Sequence, residues 1–251
     1  MVGISIAALR DTRAVATFAL ASSADPRSKR HRDGDPRQEA TMKKLLVVST
    51  LVCSPIIGCS PPAPSVSASG TPAPTAGMTL HDNMRRLWAD HVVWTRQYIV
   101  AATTDDPSAN VALARLMRNQ EDIGNAVKPF YGDAAGAKLT DLLKQHISVA
   151  GELVTAAKAG DQAKQADADK RWHDNAAEIA TFLSSANPNW PRETLVGMLN
   201  NHLALTTKEA VARLQKNWAD DQSIFDNIYT QAMEMADALS SGIIKQFPEK
   251  V

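Results

Sequence analysis

Cysteine is almost missing from this chain: two occur in 251 residues, Cys53 and Cys59, and nothing beyond Cys59 can form a disulfide or a thiolate metal site. Net charge is missing too, with 27 basic against 27 acidic side chains. A nucleic-acid binder ordinarily needs a basic face, so that partner is excluded on charge. No apolar run reaches the length of about 20 residues that a membrane-spanning helix needs. No Gly-x-Ser-x-Gly elbow, Walker loop or dinucleotide fingerprint is present, and strand–helix alternation is lacking, which removes the common hydrolase and nucleotide-binding folds. His-Glu-x-x-His and Glu-x-x-His are absent as well, so the usual helical zinc and di-iron signatures do not apply.

What is present begins at Met42. Met42-Lys43-Lys44 opens an apolar stretch of roughly 14 residues that ends in Ile56-Ile57-Gly58-Cys59. A short basic start, an apolar run and small residues at the end describe a secretory signal. Ile56-Ile57-Gly58-Cys59 resembles the lipobox of bacterial lipoproteins, in which the cysteine is diacylated and becomes the first mature residue. We therefore expect residues 1–41 to be a misassigned extension, 42–58 a signal peptide, 59–77 a tether and 78–251 the folded domain. Ser, Pro, Ala, Gly and Thr dominate 60–77, a composition that buries too little apolar surface to offset its ordering entropy. The expected location is the cell envelope, with the lipid on Cys59 as the membrane contact. Ser60, in place of Asp, implies outer-membrane sorting in a Gram-negative cell, by resemblance to lipoproteins generally.

From Met78 onward, apolar residues recur at helical spacing. Six helices are predicted at roughly 80–104, 108–128, 134–158, 162–184, 191–215 and 218–246. Asp106-Pro107 and Gly160-Asp161 read as caps, while Pro129 through Gly132 and Asn187 through Pro191 read as breakers. The fold class is all-α, a six-helix bundle; a four-helix bundle with two flanking helices is the alternative.

The helices echo one another. Leu87-Trp88-x-x-His91, Leu142-Leu143-x-x-His146 and Met198-Leu199-x-x-His202 place histidines 55 and 56 residues apart. A second column, Asn119-x-x-Asp122-Ile123, Asn175-x-x-Glu178-Ile179 and Gln231-x-x-Glu234-Met235, advances by 56. Together they suggest three tandem helical hairpins. Each histidine lies in an apolar stripe and is expected to face the core. His91 lies 14 residues before Asp105 in the turn and Asp122 lies 17 after it, which places the two within about 5 Å in height along an antiparallel pair. Three buried His–carboxylate pairs, through Asp122, Glu178 and Glu234, are the structural expectation. A transition-metal site built from His91, His146, His202, Asp122, Glu178 and Glu234 is the chemical alternative. Arg96 and the other arginines, each close to acids, read as solvated helix faces. Trp190, within a breaker, reads as a plug at one bundle end, with an exposed contact as the alternative.

The run His91-Val92-Val93-Trp94-Thr95-Arg96, then Arg118-Asn119 with Asp122-Ile123, Pro129-Phe130-Tyr131-Gly132, and Gly242-Ile243-Ile244-Lys245-Gln246-Phe247-Pro248 resembles a family of small secreted or lipid-anchored bacterial helical proteins. The resemblance extends over roughly Leu80 to Pro248. It implies no assigned activity; some members carry transferase or kinase names, whose nucleotide folds an all-helical chain does not supply. The expected role is a non-enzymatic envelope protein binding a protein partner or a small ligand. A metal-binding bundle and an enzyme of unknown type are the alternatives.

Overall fold

The computed structural model describes residues 75–251. The signal 42–58, Cys59 and nearly all of the tether lie outside the described residues. Among the described residues there are six α-helices: α1 Ala76–Thr103, α2 Ala109–Tyr131, α3 Asp133–Ala159, α4 Gln162–Ala186, α5 Arg192–Leu214 and α6 Trp218–Gln246. A short 3-10 turn, Pro248–Lys250, follows. The described residues are therefore all-α, as their periodicity predicts.

Local chemistry sets the helix ends. The Thr75 hydroxyl accepts from the Met78 amide at 3.2 Å and starts α1 four residues before the expected point. Gly160 takes the left-handed conformation (φ 70°) that ends α3, and the Asp161 carboxylate then caps α4 by accepting from the Lys164 amide. Two boundaries differ from expectation. Asp106 caps the loop at Ser108, and α2 starts at Ala109. Pro129 does not break α2, which continues to Tyr131. A proline there removes one N–H only two residues from the end, a small loss that Gly132 (φ 84°) follows with the actual stop.

Each helix packs on its neighbours in sequence, and α1 packs on α6, so the six close into a ring. The odd-numbered helices α1, α3 and α5 also touch one another, which makes them the inner set and α2, α4 and α6 the outer set. The α2–α3 hairpin is the tightest, because Gly124 and Gly136 let the two backbones meet. A Cβ on either would lie 2.6 Å from the carbonyl oxygen of the other. One apolar core runs through all six helices.

Candidate functional site

The core changes character along its length. At the end where α1 begins it contains an apolar-lined cavity of about 30 Å³. Every helix lines it, for example through Trp88, Ile123, Leu143, Ile179, Leu199 and Met235. Trp190 lines it from the α4–α5 loop, with only 4 % of its surface exposed. Its Nε1 donates to the Ala238 carbonyl at 3.3 Å, and its ring occupies the space above Gly242 that a Cβ would need. Tyr131 seals the same end. Its hydroxyl donates to Gln246 at 2.9 Å and accepts from Asn187 at 2.8 Å, and its ring packs on Trp190 and Phe247. Burial pushes the Tyr131 phenol up to about 12.

Above the cavity come the three histidines, one from each inner helix. His91, His146 and His202 are all buried. The rings of His91 and His202 lie 5.7 Å apart; His91 also meets Trp88 edge-on at 5.5 Å, while His146 packs on Trp172 at 5.3 Å. Each Nδ1 meets a side-chain amide 29 residues further on: Gln120 for His91 at 3.3 Å, Asn175 for His146 at 2.8 Å and Gln231 for His202 at 3.2 Å. The amides are themselves tied down across the hairpin. Asn175 Nδ2 donates to the Leu142 carbonyl at 3.1 Å, and Gln231 Nε2 donates to the Met198 carbonyl at 3.1 Å. With the NH₂ group committed, each amide oxygen faces its histidine. His146 and His202 must therefore carry the proton on Nδ1.

The first hairpin divides this task between two residues. Asn119 Nδ2 donates to the Leu87 carbonyl at 3.0 Å, and its oxygen accepts from Gln120 Nε2 at 3.2 Å. Gln120 Nε2 also donates to the Leu116 carbonyl at 2.8 Å, so its two hydrogens are already committed where it meets His91 Nδ1 at 3.3 Å, and this contact does not fix the His91 tautomer. The variant arrangement leaves the buried Gln120 Oε1 without a partner. All three imidazoles are held neutral. Burial is the main cause for each: it lowers His91 well below 6.5, His146 to about 3 and His202 to about 4. The neighbouring histidines add to the lowering at His91 and His146.

The expected histidine–carboxylate pairs are not formed. Asp122, with 43 % of its side chain exposed, lies 4.0 Å from Arg115; Glu178 pairs with Lys138 at 3.1 Å on the surface; Glu234 is exposed. A residue three positions on from the clamping amide is turned about 60° round the helix. That rotation takes each acid out of the seam and into water, where its charge is cheaper to keep. Among the described residues, no three His, Cys, Asp or Glu side chains form a group that could hold a metal ion. His91, His146, His202, Asp122, Glu178 and Glu234 accordingly do not make the metal set the sequence suggested. His173 lies at the surface, its Nδ1 3.0 Å from Asn200.

Beyond the histidines lies a charged layer that sequence reasoning missed. Arg96, expected on a solvated face, is mostly buried. Its guanidinium donates to Asp221 at 3.0 and 2.9 Å and to Glu209 at 2.5 Å, and it lies 4.6 Å from the Phe225 ring. Arg213 adds a bond to Asp221 at 3.2 Å. Both acids are 1 % exposed at the side chain. Burial pushes the Glu209 carboxyl up to about 7, against the pull of Arg96. A signal existed: Glu209 falls seven residues after His202, on the same inward stripe of α5.

No protein-family model, curated protein or solved structure matches this chain. No helix among the described residues is long and apolar enough to cross a membrane. The chemistry must therefore be read from the residues themselves. The three core histidines are turned inward, bonded and uncharged, while His81 and His173 lie toward the surface. The one cavity described is apolar.

Proposed function

We propose that the chain is an exported cell-envelope lipoprotein, anchored through Cys59, whose helical domain is a binding module for a protein or small-molecule partner and not an enzyme. The observation that carries the reading is the run Met42 to Cys59: a basic start, an apolar stretch and a lipobox-like end, followed by a Pro/Ser/Ala-rich tether and a domain with no further cysteine. The interior supports the binding role, since its imidazoles fasten helices together and do not face a substrate cleft. A threefold repeat of helical hairpins belongs to the same proposal. It is supported by the common 29-residue reach from each histidine to its amide, and by a carbonyl clamp at 32, 33 and 33 residues.

The anchor is tested by Cys59→Ala. Wild type should fractionate with membranes and incorporate labelled palmitate, while the variant should do neither. Equal palmitate in both would overturn the lipoprotein reading.

A further inference from the structure

We propose that the cavity at the Trp190 end is a binding site for a small, uncharged apolar molecule, of the size and character of a simple arene. The inference rests on the binding-module reading and names its ligand class. Three features support it. The lining is apolar on all sides; apolar cavities of about 150 Å³ stay dry and accept benzene, so this one, at about 30 Å³, takes such a guest by widening. Every helix contributes to it, so a guest would touch all three hairpins at once. The lining also includes Met84, Met198 and Met235, from α1, α5 and α6. Methionine is unbranched and changes rotamer at little cost, so a space of about 30 Å³ can widen when a flat molecule enters.

The entry is also defined. Trp190 closes the cavity from a loop flanked by Pro188 and Pro191, and its indole is tied by a single bond at 3.3 Å to Ala238. Because the Tyr131 ring packs on Trp190 and seals the same end, opening it takes movement of both side chains. The three histidines and the Arg96 layer lie further along the core and take no part.

Benzene is the probe, added to the full chain carrying Cys59→Ala, with the methionine methyls labelled for NMR. Binding should shift the Met84, Met198 and Met235 methyl signals and leave that of exposed Met78 in place. At ten times its Kd, benzene should raise the thermal midpoint by roughly 3–6 °C. Val127→Leu, which fills part of the cavity, should weaken binding at least tenfold. Leu199→Ala, which enlarges it, should tighten binding; if that variant does not fold, Val127→Leu still decides. Absence of methyl shifts at millimolar benzene, or shifts unaltered by Val127→Leu, would overturn the proposal. Neither result bears on the acylation of Cys59, so failure here is separable from failure of the lipoprotein reading.

Discussion

Three neutral imidazoles in one core make stability depend on pH in a direction that can be worked out. A histidine whose folded pKa lies below its unfolded value of 6.5 stabilises the fold fully above 6.5, and that stability is lost as pH falls through 6.5 toward the folded value. With His146 at about 3 and His202 at about 4, lowering the pH from 7.5 to 5 costs about 2 kcal/mol for each, roughly 4 for the two, and His91, lowered by burial as well, adds to the loss in the same direction. Glu209 acts in the opposite sense. Its carboxyl is raised from 4.5 to about 7, so the folded state gains a proton that the unfolded state still lacks over most of this window, which returns about 2 kcal/mol. The net loss is at least about 2 kcal/mol, a sizeable part of the 5–15 kcal/mol typical of a whole domain. Urea unfolding followed by circular dichroism at several pH values measures it directly. The slope near pH 5.5 should correspond to uptake of at least about one proton on unfolding. His146→Gln should reduce the loss by about 2 kcal/mol, and Glu209→Gln should increase it by a similar amount. Stability that is flat between pH 7.5 and 5, or a His146 ring that titrates near 6.5 in the folded protein, would refute the reasoning.

Other substitutions probe the layers separately, each read as a change in urea-unfolding free energy at pH 7.5. Arg96→Met leaves Glu209 and Asp221 buried beside a single remaining cation, Arg213, and should cost about 3–5 kcal/mol. Surface Arg171→Met, which breaks the exposed pairs with Glu152 and Asp167, should leave the urea midpoint nearly unchanged. Asn175→Leu removes both the Leu142 clamp and the His146 bond and should cost about 2–4 kcal/mol; a loss under about 0.5 would show that the clamp is dispensable. Gly242→Ala drives a methyl into the Trp190 indole and should cost about 1–3 kcal/mol, with a matching change in tryptophan fluorescence.

Most of the architecture was legible because helical spacing and caps are local signals. The six helices, the inward histidines and the buried Trp190 all follow from stripes and breakers that neighbouring residues define. The partners of the histidines were misread for a geometric reason. Height along a hairpin can be counted from the turn, but rotation about the helix axis cannot. The count itself favoured the amides: Asn119 lies 14 residues after Asp105, as His91 lies 14 before it, and Asn175 lies 14 after Asp161. Chemical habit favoured the carboxylates three residues on, since an acid is the commoner partner for a histidine. The Arg96 layer was hidden for another reason. Its three partners come from α5 and α6, more than 110 residues away, and no local pattern distinguishes a buried arginine from a solvated one.

The amide clamps explain why polar groups persist in a core that apolar residues could fill. A carboxylate facing a buried histidine would create a charged pair, whose desolvation cost often exceeds its attraction. A neutral amide provides both a donor for a main-chain carbonyl and an acceptor for Nδ1, so two buried polar groups are satisfied without any charge. The bonds also fix register. Shifting α4 by one residue against α3 would take Asn175 away from both Leu142 and His146, leaving the Asn175 amide and His146 Nδ1 buried without their partners. Apolar stripes alone tolerate such slips, because one leucine packs nearly as well as the next. One clamp in each hairpin therefore sets the height of each outer helix against its inner partner. The same alignment brings Asp221 of α6 level with Arg96 of α1, where the ring closes.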